Sequence, residues 1–162
     1  MKLSIFTDAS FITGSPAGYA FYIGCTKGMI KKAGIFKYPA KSPMVAELHC
    51  LANAIHTLKH CKFRPITSVF VYCDVIDVVN AINGERNNFK DKDLRDIVDE
   101  INFLMLEICI QAGVNIRNVR KFFTFTHVKA HTKQKDKFSL INNWCDREAV
   151  KYRKQASKNK KP

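Results

Sequence analysis

Four acidic residues lie where the sequence pattern makes a carboxylate costly. Asp8 ends a strand-like run, Asp74 ends the most hydrophobic run of the chain, and Glu47 falls at the rim of an apolar helical face. The fourth, Asp146, directly follows Cys145 near the start of the last predicted helix. A carboxylate forced toward a core costs several kcal/mol unless a counter-charge pairs with it. No Lys or Arg lies within three residues of Asp8 or Glu47. Mg²⁺ prefers carboxylate oxygens, so the pattern predicts chemistry that uses a divalent cation.

Taken one at a time, these acids have ordinary alternative interpretations. Asp8 could form an Asx turn, Glu47 could be a first-turn acid favoured by the helix dipole, and Asp74 could cap the following helix. Asp146 could belong to a solvated helix face. Each residue alone therefore indicates little, and the hypothesis depends on the four acids together, each on its own predicted element.

The elements that must position these acids are predicted from periodicity. Residues 2–6, 19–23 and 29–38 have strand-like patterns joined by short turns, which predicts an antiparallel meander. Ser42-Pro43 is a favourable helix start, and apolar residues follow it at helical spacing as far as Leu58. The other predicted elements are a buried strand over 69–73, a short helix over 75–82, a long amphipathic helix over 94–108, a strand over 119–125 and a last helix over 140–152.

This order of elements predicts an α/β fold with a mixed sheet and helices packed on it. Ligands gather at the carboxyl ends of the strands in open sheets of this kind. If the strands that end at Asp8 and Asp74 are neighbours, their carboxylates meet at one edge, where the helix carrying Glu47 can cap them.

Length and composition limit the classes of protein to which this chain can belong. With 162 residues, 46% of them apolar, the chain fits one domain, which we place at residues 1–154, followed by a basic disordered tail at 155–162. No run of 18 apolar residues exists, and the apolar N-terminal run is too short for a secretory signal, so we expect no membrane association. Six scattered cysteines indicate a reducing compartment, and we expect a cytoplasmic protein. Since no dimerisation stripe is evident in the sequence, we expect a monomer.

The charge distribution indicates a polyanionic partner. The chain has 27 Lys and Arg against 14 acids, a net charge of +13. Residues 114–162 alone hold 14 positive and 3 negative side chains, or +11. Such a concentration favours a nucleic acid as partner, and the alternative is a segment that only aids solubility.

Five short stretches that include the four acids resemble the type 1 ribonuclease H family, and the resemblance extends over nearly the whole chain. The stretches are Phe6-Thr7-Asp8-Ala9-Ser10, Ala46-Glu47-Leu48, Tyr72-Cys73-Asp74, Val128-Lys129-Ala130-His131 and Asn142-Asn143-Trp144-Cys145-Asp146. The resemblance implies a ribonuclease H-like five-stranded mixed sheet, with three antiparallel strands followed by two parallel ones and helices on both faces. It also implies endonucleolytic hydrolysis of the RNA strand of RNA–DNA hybrids, with products that carry 5′-phosphomonoesters.

The same resemblance implies a role for each matched residue. Asp8 would bridge two Mg²⁺ ions, for which Mn²⁺ can substitute. Glu47 and Asp74 would hold one ion with it, and Asp146 would complete the site of the other. His131 would match a loop histidine that assists turnover and product release. Two-metal hydrolysis of a phosphodiester is consistent with such a set of oxygen ligands.

The chain also departs from the family pattern around the substrate. Ser42-Pro43-Met44 stands where many members have asparagines that read the hybrid, and the basic protrusion between the second and third helices is missing. We expect substrate contacts from Ser10, Ser42 and Asn142, and from the basic C-terminal segment that runs from Arg147 to Lys161. Further contacts are expected from the loop lysines Lys133, Lys135 and Lys137. Two alternatives stay open: a nuclease for another structured nucleic acid, such as a DNA junction or double-stranded RNA, and an inactive nucleic-acid-binding module.

Overall fold

The first three strands form the predicted meander in the computed structural model, which describes residues 1–37, 39–85, 89–128 and 136–158. β1 spans Lys2–Ser10, β2 spans Gly18–Cys25 and β3 spans Gly28–Ile35. β2 pairs antiparallel with both of its neighbours, β1 and β3. Short connections suffice between antiparallel partners, which is why turns with Gly and Pro separate these strands.

Two further strands extend the sheet on the other side of β1. β4, Ser68–Cys73, lies parallel to β1, and β5, Phe123–His127, lies parallel to β4. The strand order is β3-β2-β1-β4-β5, so β1 is central. Within the described ranges this confirms the predicted five-stranded mixed sheet, with three antiparallel strands followed by two parallel ones.

One face of the sheet carries the larger core. β1 alternates, and its Leu3 and Ile5 point into this core with the apolar faces of three helices. The helices are α1 (Pro43–His60), α2 (Ile76–Asn83) and α3 (Lys92–Gln111). The Ser42 hydroxyl accepts a hydrogen bond from the Val45 N–H at 3.3 Å, and Pro43 opens the helix, as predicted. Gly84, with a φ of +81°, ends α2 at the predicted place.

The opposite face is covered by a single long helix, α5 (Lys137–Lys158). Its Cys145 and Ala149 pack with Phe6 and Tyr22, which point away from the larger core. A Cβ at Gly18 would collide with the carbonyl oxygen of Ala149, so glycine allows β2 and α5 to approach closely. Helices thus lie on both faces, as predicted.

The predicted strand over residues 119–125 is wrong in its first half. Ile116–Asn118 form a 3₁₀ turn and Val119–Phe122 form a short helix, α4, so the strand begins only at Phe123 and ends at His127. The Asn115 side chain accepts a hydrogen bond from the Arg117 N–H at 2.9 Å and starts this helical segment. Val119 and Phe122 are three residues apart, a spacing that packs one face of a helical turn on the core.

The last helix is longer than predicted at both ends. It begins at Lys137 rather than 140, where the Asp136 carboxylate accepts a hydrogen bond from the Ser139 N–H at 2.7 Å. It continues to Lys158, because Ala156 is buried against the fold. The first four residues of the predicted disordered tail are therefore helical, and residues 159–162 lie outside the described ranges. None of the helices described is long and apolar enough to cross a membrane.

Candidate metal centre

Asp8 and Asp74 meet at the carboxyl edge of the two central strands. The parallel register pairs Phe6 of β1 with Tyr72 of β4, and each acid lies two residues beyond its member of that pair. Asp8 lies near the end of β1 and Asp74 directly follows β4, so the two acids lie at the same edge of the sheet, and the charge of Asp74 acts on Asp8. Asp74 does not cap α2, because the N-cap of that helix is Val75 and no side-chain hydrogen bond caps it. The strand register is thus the reason that residues 66 positions apart become neighbours.

Glu47 reaches the same edge from α1. Its Oε1 atom accepts a hydrogen bond from the Ala9 N–H at 3.0 Å, directly after Asp8. One turn further along the helix, the buried Cys50 thiol donates toward the carbonyl oxygens of Asp8 and Ala20, each at 3.3 Å. These contacts fix the helix against the end of β1. The interpretation of Glu47 as a first-turn acid favoured by the helix dipole is therefore wrong, since the residue lies beyond the first turn of α1 and is only 5% exposed.

Asp146 completes the set from the opposite face of the sheet. It follows the buried Cys145, whose thiol lies 3.8 Å from the Phe6 carbonyl oxygen, and it is half-buried. Its charge acts on Asp8 strongly enough to contribute to the raised pKa of that residue. The four acids predicted from sequence thus come from four different elements and interact in one place.

The electrostatics show how unfavourable this cluster is without a counter-charge. Burial raises the pKa of Asp8 to about 8, with further contributions from the charges of Asp74 and Asp146. Burial, together with the charges of Asp8 and Asp74, also raises the pKa of Glu47 well above its ordinary value. Glu47 Oε2 is buried with no hydrogen-bond partner among the described residues. Acids that are buried together in this way are typical of functional sites.

The donor atoms fit a hard divalent cation. Ligand atoms of Glu47, Cys73 and Asp74 lie within 4.8 Å of one another. Burial raises the pKa of the Cys73 thiol, so it stays neutral and is a poor ligand. Carboxylate oxygens are therefore the donors available, and oxygen donors suit Mg²⁺ or Mn²⁺. The unsatisfied Glu47 oxygen is the atom that a cation would satisfy.

The other predicted site residues fall into three groups. Ser10 accepts a hydrogen bond from Arg153 Nε at 2.8 Å, and Ser42 is used as the cap of α1. Asn142 lies one helical turn before Asp146 and is 7% exposed, and its Oδ1 has no partner within the described ranges. Lys137 is exposed at the start of α5, beside a cavity of about 220 Å³. The predictions for His131, Lys133 and Lys135 lie outside the described residues.

The sequence reasoning missed one residue that lies beside the acids. His127 is the last residue of β5, and its Nε2 donates a hydrogen bond to the Asp74 carbonyl oxygen at 2.9 Å. A parallel strand next to β4 must end at the same edge as Asp74, which is the signal that could have found it. The periodicity predicts that this strand ends at residue 125, two positions before the histidine. The sequence pattern therefore does not place His127 at the edge beside Asp74.

A ribonuclease H-like fold with four converging carboxylates defines the class of protein. The chain belongs to the RNase H family, whose model matches residues 1–154. A search of curated proteins gave no significant match.

Three solved structures illustrate the similarity of the fold. The RNase H1 of the halophilic archaeon Halobacterium salinarum NRC-1 aligns with a TM-score of 0.69 and 16% identity, over 96% of this chain and 100% of that chain. LC11-RNase H1, in complex with an RNA/DNA hybrid, aligns with a TM-score of 0.68 and 19% identity, over 96% and 99%. The PFV RNase H domain aligns with a TM-score of 0.65 and 18% identity, over 94% of each chain. At such identities the likeness shows the fold alone.

Proposed function

We propose that the protein is a metal-dependent endoribonuclease that hydrolyses the RNA strand of RNA–DNA hybrids and leaves 5′-phosphomonoesters. The observation that carries the proposal is the convergence of Asp8, Glu47, Asp74 and Asp146 at one edge of the sheet. Membership of the RNase H family and the likeness to an RNase H1 solved with an RNA/DNA hybrid support the choice of substrate.

Two divalent cations, Mg²⁺ or Mn²⁺, would be held by these carboxylates. Asp8 would contribute to both sites, Glu47 and Asp74 to one, and Asp146 to the other. Such a pair supplies a water of lowered pKa as nucleophile and stabilises the leaving 3′ oxygen. The protein's part is to present the carboxylates in fixed positions. The Ala9 N–H fixes Glu47 by a hydrogen bond to its carboxylate. His127 fixes the backbone of Asp74 by a hydrogen bond to its carbonyl oxygen.

Asp8 and Glu47 would hold a cation only after giving up the protons that their raised pKa values favour. With a pKa of about 8, Asp8 is mostly protonated at neutral pH when no cation is near. Binding of a cation must release that proton, so cation affinity rises with pH up to roughly pH 8. The raised pKa values thus favour a site in which Asp8 and Glu47 carry protons without metal and would ionise when metal binds.

The test is cleavage of a hybrid whose RNA strand is labelled at its 5′ end, with Mg²⁺ present. Wild-type protein should cut the RNA strand, and Asp8→Asn and Asp74→Asn should not. The matched control is Asp77→Asn, because Asp77 is an exposed acid on α2 near the site that is not one of the four. Equal cutting by wild type, Asp8→Asn and Asp74→Asn would contradict the mechanism.

Because Ser42 is used as a helix cap, other substrates should be tested in the same assay. The hydroxyl accepts a hydrogen bond from the Val45 N–H. Ser42 therefore does not substitute for the asparagine that contacts the hybrid in many family members. A panel with double-stranded RNA and a four-way DNA junction determines whether the selectivity is for hybrids. An inactive nucleic-acid-binding module, the other alternative, would show no carboxylate-dependent Mg²⁺ binding in calorimetry.

A further inference from the structure

We propose that the exposed face of α5 binds the sugar–phosphate backbone of the nucleic acid next to the cleavage site, an inference that rests on the proposed function. Four cations recur every three or four residues on this helix: Arg147, Lys151, Lys154 and Lys158. That spacing places them in one row along the helix. All four are exposed. We call these four residues the α5 row.

The row is continuous with the metal centre. Asp146 and the four cations line one groove of about 450 Å³ along the outer surface of α5. Asp146 is thus both the first residue of the groove and one of the four converging acids. A backbone that lies in the groove therefore leads directly to the phosphate at the carboxylates.

Most of this positive charge is not neutralised by the residues that the structure describes. Lys151 forms an ion pair with Glu148, with Nζ and Oε2 3.1 Å apart. Arg147, Lys154 and Lys158 form no ion pair with any other described residue. An isolated lysine on the surface is stable in water, so it does not by itself indicate a binding site. Three unpaired cations aligned along a groove that ends at the carboxylates form a surface complementary to a row of phosphates.

The α3 face of the sheet is unsuited to such a contact. Segment 85–113, which includes α3, holds 7 acids and 4 cations. The outer surface of that helix carries the exposed acids Asp96, Asp99 and Glu100. Phosphates are repelled there and attracted to α5, on the opposite face of the sheet. The acidic segment and the basic C-terminal helix of the sequence therefore lie on opposite faces of the sheet.

The length of the row sets the expected footprint. Arg147 and Lys158 are 11 residues apart, roughly 16 Å along an α-helix. One strand of a duplex advances about 3.4 Å per nucleotide, so the row matches about five nucleotides. This reach lies on one side of the cleavage site, because Asp146 is at one end of the row.

The experiment compares two triple variants that remove the same charge. The first, Arg147→Gln, Lys154→Gln and Lys158→Gln, removes the unpaired cations of the row. The control, Lys27→Gln, Lys62→Gln and Lys121→Gln, removes three exposed lysines that lie elsewhere in the fold. Binding of a fluorescent RNA–DNA hybrid is measured by anisotropy in EDTA over a series of salt concentrations. Repulsion from the four acids is then the same in every protein, and circular dichroism confirms the fold.

We expect the row variant to reduce the slope of log affinity against log salt by about 3, close to 1 for each phosphate that the protein no longer neutralises. The control variant should change the slope much less, because removal of distant charge weakens only the general field. Equal slopes for the two triple variants, or a row variant that binds like wild type, would overturn the proposal.

Neutral methylphosphonate linkages, placed at consecutive positions along the footprint in one strand, identify which strand lies on the row. In that strand they should abolish the affinity difference between wild type and the row variant. If neither the RNA-strand nor the DNA-strand substitution does so, the row does not contact the backbone. Single-turnover cleavage separates this result from failure of the proposed function. If cutting depends on Asp8 but the two triple variants have equal slopes, only the proposal for the α5 row fails. If the slopes differ but no cutting occurs, only the proposed nuclease activity fails.

Discussion

The Ala9 N–H donates a hydrogen bond to Glu47 Oε1 at 3.0 Å, and this bond holds a helix carboxylate against the strand residue that follows Asp8. The second oxygen, Oε2, is buried and has no partner among the residues described. One oxygen therefore has a structural role and the other is left for a cation. A substitution that keeps the first role and weakens the second can separate folding from metal binding.

Glu47→Gln is that substitution. The amide oxygen can still accept from Ala9, so we expect the melting temperature to stay within a few degrees of wild type. The neutral side chain is a weaker ligand for Mg²⁺, and we expect hybrid cleavage to fall by about 100-fold or more. Calorimetric Mg²⁺ titration and the cleavage assay check this. Full activity in Glu47→Gln would remove Glu47 from the ligand set.

The raised pKa of Asp8 predicts that the metal-free protein loses stability as the pH rises. The group has a pKa near 3.8 when unfolded and about 8 when folded. Folding therefore favours the protonated form, and this contribution is fully present below about pH 4 and is lost as the pH rises through about 8. In EDTA at about pH 8, we expect Asp8→Asn to melt about 3 °C or more above wild type.

Mg²⁺ should remove that difference, because a bound cation takes over the role of the proton in the wild type and has less to bind in Asp8→Asn. Differential scanning calorimetry from about pH 5 to about pH 8.5, in EDTA and in Mg²⁺, measures both effects. The same series with Asp77→Asn controls for removal of an exposed acid. A wild-type protein that is as stable as Asp8→Asn in alkaline EDTA would show that neither burial nor the neighbouring charges penalise the ionised form of Asp8.

The sequence is sufficient to predict the acids and most of the sheet, because both depend on strong local patterns. β1 alternates and the residues before Asp74 are continuously apolar, so the strand ends are readable, and Ser42-Pro43 marks the start of α1. The hypothesis that the strands ending at Asp8 and Asp74 are neighbours needs only the usual rules for parallel strands.

The errors come from short segments whose outcome tertiary contacts decide. Val119 and Phe122 fit either a strand or one helical turn, and the Asn115 side chain favours the turn. The polar appearance of residues 155–158 favours a tail, yet the buried Ala156 keeps them helical. His127 escapes the sequence reasoning because its role depends on β5 reaching the edge beside Asp74. Periodicity in one segment contains no information on such neighbours.

Gly18→Ala should destabilise the contact that positions Asp146. An added Cβ would collide with the Ala149 carbonyl oxygen and lie 2.7 Å from the Arg153 N, both on the backbone of α5. The helix must move away from β2, and we expect a loss of about 1–3 kcal/mol in the free energy of unfolding. Because α5 carries Asp146, the affinity for Mg²⁺ should fall as well.

Gly34→Ala is the matched control for urea unfolding and Mg²⁺ titration. The three atoms nearest to a Cβ there all belong to the Tyr19 side chain, with the hydroxyl oxygen at 3.1 Å and two ring carbons at 3.3 Å, and a side chain can shift more readily than a helix backbone. Equal stability losses in the two variants would mean that the approach of β2 to α5 is not the constraint that we infer.

His127→Ala should weaken catalysis without unfolding the protein. His127 is exposed, and its Nε2 donates to the Asp74 carbonyl oxygen at 2.9 Å, so it fixes the backbone that carries a candidate ligand. Loss of an outer partner of this kind costs about tenfold or more in metal affinity or activity. We expect that loss in the Mg²⁺ dependence of cleavage, with the melting temperature almost unchanged. His127→Gln, which retains an N–H at similar reach, should recover most of the activity, whereas His56→Ala on α1 should have no effect. If His127→Ala and His127→Gln reduced activity equally, His127 would act through its ring rather than through this hydrogen bond.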